Sequence, residues 1–290
     1  MKTNSEWKDY KLIATGNGEK LESFNGITLL RPDPQVIWSA PFALDSYKGL
    51  NGVYRRSKTG GGAWETVKKV PDFFYVHWRG LTFKLKLMNF KHTGIFPEQA
   101  VNWARMTDVI KSENREIRVL NLFGYTGGAT VACLAAGARV CHVDAAKAMC
   151  DIAKENCSLS GVDETKARFI VDDCIKFVEK EIRRGKKYDA IIMDPPSYGR
   201  GPKGETWKIE EGIFSLVSLT KQLLSDSPAF YLINSYTTGL QPGAMKNILQ
   251  IVCGDIPHKE IDADEIGIEG EDGVVLPCGC SAFMEFGKKL

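Results

Sequence analysis

The chain has 290 residues, 43% of them hydrophobic and 26% charged, with a formal net charge of +2. No run of 18 or more apolar residues occurs, which excludes a transmembrane helix, and the polar start Met1-Lys2-Thr3-Asn4-Ser5-Glu6 lacks the apolar centre of a signal peptide. An ordinary globular protein of the cytoplasm is expected.

The charge is unevenly spread. Residues 1–91 carry 15 Lys+Arg against 8 Asp+Glu, whereas residues 92–290 carry 23 against 28. A basic amino-terminal segment on an acidic body fits a polyanionic partner, and a solvated lysine-rich surface is the alternative. Basic runs recur at Arg55-Arg56-Ser57-Lys58, Arg183-Arg184-Gly185-Lys186-Lys187 and Arg200-Gly201-Pro202-Lys203.

The first 91 residues form a small β-rich domain. Strands are predicted at Tyr10 to Ala14, Lys20 to Phe24, Ile27 to Arg31, Phe73 to Trp78 and Leu81 to Met88, divided by Gly-Asn, Asn-Gly and Pro-Asp-Pro turn chemistry. In the last strand Leu81, Phe83, Leu85 and Leu87 alternate with Thr82, Lys84, Lys86 and Met88, so one face is apolar. The run Gly60-Gly61-Gly62 is expected in a loop.

From residue 92 to residue 290 a second domain is expected. Pro97-Glu98-Gln99 opens a helix, because proline suits the first turn and acids there suit the dipole. Strands and helices then alternate: Ile117 to Phe123, Gly127 to Ala136, Arg139 to Val143, Ala146 to Ser160, Arg168 to Val171, Cys174 to Arg184, Asp189 to Met193, Glu211 to Leu224, Ala229 to Asn234 and Pro242 to Val252. This pattern predicts an α/β fold, a doubly wound, mostly parallel sheet. Glu260-Ile261 and Val274 to Phe286, around an acid-rich loop from Asp262 to Asp272, predict a terminal antiparallel hairpin. The eight cysteines are scattered, with Cys278-Gly279-Cys280 the one close pair, so buried reduced thiols are expected and no metal site.

Three motifs follow strands of this second domain. Phe123-Gly124-Tyr125-Thr126-Gly127-Gly128 joins the first strand to its helix, and glycines there let the backbone approach a ligand. Asp144 lies 20 residues beyond Gly124 at the end of the second strand, where a carboxylate can accept from both hydroxyls of an adenosine ribose. Nicotinamide dinucleotides and S-adenosylmethionine share that need, but the spacing G-x-x-G-G departs from the dinucleotide G-x-G-x-x-G. Asp173, after the third strand, can receive an adenine amine, with Asp172 beside it read as a solvated acid or helix cap. After the apolar run Ala190 to Met193 comes Asp194-Pro195-Pro196-Ser197-Tyr198. Two prolines stop the sheet ladder and hold a carboxylate at the strand's carboxyl end, where ligands bind in open α/β sheets. Asp194 and the Pro195 carbonyl could accept hydrogen bonds from a base edge while Tyr198 stacks on its face.

As a set, Gly94-Ile95-Phe96-Pro97-Glu98-Gln99, Val119 to Gly128, Asp173-Cys174 and Asp194 to Gly201 resemble the class I S-adenosylmethionine-dependent methyltransferases of the large-subunit ribosomal RNA type. The resemblance covers roughly residues 90–290. It implies S-adenosylmethionine as cofactor and RNA, ribosomal RNA among the candidates, as partner. Cofactor or acceptor contacts are implied at Gly124, Gly127, Gly128, Asp144, Asp173 and Asp194, and Pro195, Pro196 and Tyr198 beside Asp194 complete the candidate acceptor site. Thr93, Phe96 and Gln99 match the segment leading into the cofactor pocket, with packing as the alternative, and His92 beside them is read either as a site residue or as polar packing. Relatives that methylate carbon 5 of cytosine use a cysteine nucleophile after the fourth or fifth strand. This chain has Ser197-Tyr198 and Asn234-Ser235-Tyr236 there, so a nitrogen acceptor, and less so an oxygen, is expected. The third basic run adjoins the Asp-Pro-Pro motif and is read as substrate-facing, with Trp207 and Lys208 in the same mobile loop. Methyl transfer to a protein or small molecule, a cofactor-binding module without turnover, and a nicotinamide oxidoreductase are the competing readings.

Overall fold

The computed structural model describes residues 1–57, 61–200 and 206–287. Lys58 and Gly60 of the expected basic run and glycine loop, and Gly201-Pro202-Lys203 of the third basic run, lie outside the described residues. The chain forms two compact units, Met1–Val101 with Gly267–Cys278, and Asn102–Ile266 with Gly279–Leu290. The 92–290 division expected from sequence differs from this partition in two places. The amino-terminal unit runs on through the 3-10 turn Pro97–Gln99, and it includes a segment from near the chain's other end. That segment is bound in by Glu269, which accepts from Thr3 Oγ1, by Glu271, which pairs with Lys11 at 2.8 Å, and by Asp272, which accepts from Thr15 N at 3.0 Å.

In the first unit, β1 (Tyr10–Gly16), β2 (Glu19–Phe24), β3 (Ile27–Pro32), β4 (Leu50–Arg56) and β5 (Gly62–Thr66) form one sheet in that order. β6 (Phe74–Trp78) and β7 (Leu81–Leu85) form a separate hairpin. The Asn17-Gly18 and Asn25-Gly26 turns have positive φ at both residues, the handedness that matches strand twist in two-residue hairpins. Leu81, Phe83 and Leu85 are buried as their alternation predicts. β4 and β5 were not foreseen, because Asn51-Gly52 reads as a turn. In fact Asn51 Oδ1 accepts from Thr28 N at 2.9 Å where the β3–β4 register shifts, so its side chain stands in for a ladder carbonyl.

The unit buries a charged cluster. Glu22 receives Arg31 through two guanidinium nitrogens (2.7 and 2.8 Å) and the Tyr10 hydroxyl at 2.9 Å, and Lys20 reaches Asp33 at 3.2 Å. All five side chains are nearly inaccessible.

In the second unit, α1 (Ala100–Ser112) leads to β8 (Arg118–Leu122), α2 (Gly128–Ala135), β9 (Arg139–Asp144), α3 (Lys147–Leu159), β10 (Ala167–Val171), α4 (Cys174–Arg183) and β11 (Ala190–Met193). There follow β12 (Tyr198–Arg200), β13 (Thr206–Lys208), α5 (Ile209–Lys221), β14 (Phe230–Ser235), α6 (Pro242–Cys253), β15 (His258–Glu269) and β16 (Val275–Phe286), of which residues 267–269 and 275–278 belong to the first unit. The sheet order is β10-β9-β8-β11-β14-β16-β15, parallel through the first five strands, with β16 antiparallel to β14. The α/β expectation with its terminal antiparallel strands therefore holds. One face of the sheet, with Leu120, Leu122, Ile191, Met193, Tyr231 and Ile233, packs against apolar residues of α4, α5 and α6. Asn121 and His142 point to the other face, where both meet Thr130 of α2. The acid-rich stretch is not a loop up to Asp272: β15 continues to Glu269. Arg105 of α1 binds both Glu260 and Asp262, and its guanidinium lies 4.1 Å from the Phe283 ring, so a cation neutralises acids that would otherwise disfavour a strand.

Replacing Glu22 with Gln would leave Arg31 buried without its counter-charge and remove the carboxylate 3.9 Å from Lys20. Urea unfolding should show a loss of about 3–5 kcal/mol. A loss below about 1 kcal/mol would mean that the cluster does not depend on that carboxylate.

Candidate active site

Parallel strands place all their carboxyl ends on one edge. Leu122 of β8 is level with Val143 of β9 and with Met193 of β11, so the next residues, Phe123, Asp144 and Asp194, are level too. Asp144 and Asp194 therefore stand two strand spacings apart, about 10 Å, on either side of the β8 tip. The strand order reverses between β8 and β11, which makes this the crevice where open α/β sheets bind ligands.

The loop over the β8 tip is fastened at every residue. Phe123 N donates to Cys174 Sγ (3.4 Å), Gly124 N to the Val143 carbonyl (3.0 Å), Tyr125 N to Asp144 Oδ2 (2.9 Å) and Gly127 N to the Gly124 carbonyl (3.0 Å), while the Thr126 carbonyl accepts from Asn156 Nδ2 (2.9 Å). Phe123 and Tyr125 are held at φ 57° and 50°, conformations that side chains rarely adopt without such restraint. The glycines answer to the protein as well as to any ligand. A Cβ at Gly124 would lie 2.4 Å from the His142 ring, and one at Gly127, where φ is 87° and α2 begins, 2.7 Å from Ala153 Cβ. Gly128 faces Trp103 in the same way.

Beneath the loop lies a polar chain. Asn121 Nδ2 donates to Thr130 Oγ1 at 2.9 Å, and Thr130 Oγ1 shares a hydrogen bond with His142 Nδ1 at 2.9 Å, all three side chains being buried. Among the described residues His142 Nε2 has no hydrogen-bond partner, and burial pushes the His142 pKa down to about 4, with the Tyr125 backbone acting the other way. His142 was not among the residues singled out from sequence, nor were Asn156 and Thr130. A histidine inside an apolar strand was the available signal.

Four carboxylates stand at this edge. Asp144, half-buried, accepts Tyr125 N and, through Oδ1, Ala146 N at 2.8 Å; burial raises its pKa against these two bonds. A carboxylate offers about four acceptor sites, so capacity remains for two hydroxyls. Asp173 caps α4, its Oδ1 accepting Lys176 N at 2.9 Å. The capping role assigned to Asp172 thus falls to Asp173, because Asp172 turns to Lys180 Nζ at 2.6 Å. Asp194 is half-buried directly after β11.

Pro195 is buried, and Pro196, Ser197 and Tyr198 are exposed, Tyr198 by 50%. Trp207 and Lys208 are not part of a loop. They form β13, which pairs with β12, Gly199 lying opposite Trp207. The structure thus brings together Phe123 to Gly128, Asp144, Asp173 and Asp194 to Tyr198. Thr93, Phe96 and Gln99 belong to the other unit. There Thr93 and Gln99 are buried, Thr93 Oγ1 has no hydrogen-bond partner among the described residues, and the Phe96 ring meets His92 edge-on at 5.6 Å.

Residues 35–216 match the family model described as S-adenosylmethionine-dependent methyltransferase. The chain belongs to that family. The crystal structure of the SAM-dependent methyltransferase from Agrobacterium tumefaciens superposes with a TM-score of 0.90 at 30% identity, over 98% of this chain and 92% of that one. A methyltransferase solved in complex with SAH shares the fold, with a TM-score of 0.75 at 18% identity over 97% and 76% of the two chains. Among curated proteins, ribosomal RNA large subunit methyltransferase I of Klebsiella pneumoniae is 45% identical over 82 residues, 28% of this chain and 20% of that one. Ribosomal RNA large subunit methyltransferase K of Neisseria meningitidis is 26% identical over 230 residues, 76% of this chain and 64% of that one. The chain spans about a fifth of the length of the first curated relatives it matches. The family's cofactor is S-adenosylmethionine, and the methyltransferase edge described above suits it in donor set: a strand-end carboxylate with spare acceptor sites beside a restrained loop.

Two outcomes test this site. An unfolded chain binds the His142 proton near pH 6.5, the folded methyltransferase only near pH 4, so stability present above pH 6.5 is lost as pH falls through that window. At pH 5 the loss amounts to about 2 kcal/mol, and thermal unfolding of His142→Asn should lack it. Parallel pH profiles for the two proteins would contradict a neutral buried ring. Gly124→Ala should weaken SAH binding at least about tenfold with circular dichroism unchanged, since the methyl displaces either His142 or the loop; unaltered affinity would show that the loop tolerates the shift.

Proposed function

We propose that this methyltransferase transfers a methyl group to a nitrogen of an RNA base, with large-subunit ribosomal RNA in the cytoplasm as the first candidate substrate. The observation that carries the reading is the level placement of Asp144 and Asp194 about 10 Å apart across the β8 tip. The cofactor supplies an electrophilic methyl on a sulfonium. The chain's task is then to orient the acceptor and exclude water.

In this reading Asp144 accepts the ribose hydroxyls, Asp173 receives the adenine amine, and the loop from Phe123 to Gly128 lies along the nucleoside. Asp194 and the Pro195 carbonyl accept hydrogen bonds from the acceptor amine, which turns its lone pair toward the methyl. The prolines of Pro195-Pro196 hold these acceptors rigidly at the strand end, and Tyr198 offers a half-exposed ring for an unstacked base. Thr93, Phe96 and Gln99 rest on the family resemblance alone. RNA as substrate is supported by the names of the curated relatives and by the basic residues 1–91.

Carbon 5 of a pyrimidine is disfavoured. Cys280, opposite Ser235 at the end of β14, is buried, and its thiol is pushed up to about 11 by burial, so it is not a thiolate at neutral pH.

Labelled-methyl transfer to total RNA, protein and metabolite fractions, followed by nucleoside analysis, tests the substrate class. Label in an N-methylated nucleoside is expected; label confined to protein or metabolites overturns the RNA reading. Asp144→Ala should weaken SAH binding at least about tenfold, whereas Asp194→Ala should leave that affinity within about twofold and lower kcat about a hundredfold. Equal loss of SAH affinity in both variants would contradict the division of roles.

A further inference from the structure

Trp207 joins three pieces of the methyltransferase that sequence separates widely. Its Nε1 donates to the Pro196 carbonyl at 2.7 Å. Its ring lies 6.2 Å from the Phe123 ring, tilted by 37°, within the range of aromatic contact. Gly212 of α5 leaves room for the indole, since a Cβ there would lie 2.4 Å from Trp207 Cζ3. The same turn is tied again at Ser197, whose carbonyl accepts Ile209 N at 3.1 Å and whose Oγ accepts from Thr237 Oγ1 at 2.6 Å.

We propose that Trp207 is a positioning residue for methyl transfer: it fixes the backbone of the Pro195-Pro196-Ser197 turn and, through Phe123, sets that turn against the loop at the β8 tip. This rests on the reading of Asp194 and Pro195 as the acceptor-binding groups. With the Pro196 carbonyl committed to the indole, the hydrogen bonds to the acceptor come from Asp194 and the Pro195 carbonyl. Pro195 and Pro196 have no N–H of their own, so two of the turn's three residues offer no amide donor, and a side-chain donor from β13 adds a restraint at the Pro196 carbonyl. Small displacements of positioning groups cost transfer rate far more than binding.

Trp207→Phe keeps an aromatic ring against Gly212 and Phe123 but removes the N–H. Hydrogen exchange followed by mass spectrometry on the ligand-free full chain should show amides of Ser197 to Gly199 exchanging at least about threefold faster in the variant. Its SAH affinity should stay within about twofold, while kcat for labelled-methyl transfer to total RNA falls about tenfold. Gly212→Ala, which displaces the indole without altering it, should give the same pattern. Unchanged exchange over Ser197 to Gly199, or a wild-type kcat in Trp207→Phe, overturns the proposal. Failure of the unaltered chain to label any RNA counts against the proposed substrate instead, and the exchange comparison, which needs neither ligand nor substrate, still decides the role of Trp207.

Discussion

The active-site edge depends on the in-register parallel pairing of β8 with β9 and β11. Because Leu122, Val143 and Met193 are level, the chain leaves all three strands at one height, and the next residues become a glycine-loop entry, an acid and a second acid. A register slip of one residue on any strand would turn its side chains to the other face and take its acid out of line. The pairing is fixed by burial on both faces. Ala190 to Met193 are all buried, and Leu120, Leu122, Ile191 and Met193 pack against α4, α5 and α6 while Asn121 and His142 meet α2.

The two aspartates that flank β11 stand at opposite ends of one strand. Asp189, at the amino end, accepts Arg118 N at 2.8 Å and Ser225 Oγ at 2.7 Å and pairs with Arg115 at 3.0 Å; these bonds hold its pKa low despite the opposing effect of burial. Asp194, at the carboxyl end, is followed by two prolines with no N–H to donate. The same strand thus carries one acid that joins β8 to β11 and, at its other end, one at the strand edge where open α/β sheets bind ligands.

Much of this was legible in the sequence, because short apolar runs bounded by Gly, Asp and Pro mark parallel strands and their carboxyl ends. Alternation of strands and helices was enough for the α/β class. What escaped had tertiary causes. β4 contains Asn51-Gly52 and reads as a turn until Asn51 is seen substituting for a backbone acceptor. β15 looks too acidic for a strand until Arg105 is placed between Glu260 and Asp262. Within the site, the glycine spacing was visible, but its partners His142, Ala153 and Trp103 lie 18 to 26 residues from the glycines they meet and are brought in by folding. Trp207 read as part of a loop because a two-stranded pairing as short as β12–β13 leaves no periodic signal.

The proposed function requires a nucleoside to lie across the tip of β8, held on one side by Asp144 and faced on the other by Asp194. A crystal structure of the full chain with S-adenosylhomocysteine reads this directly. The account predicts both ribose hydroxyls within hydrogen-bond distance of the Asp144 carboxylate and the sulfur on the side of Asp194. A ribose bound away from Asp144, or a sulfur turned away from Asp194, would contradict it.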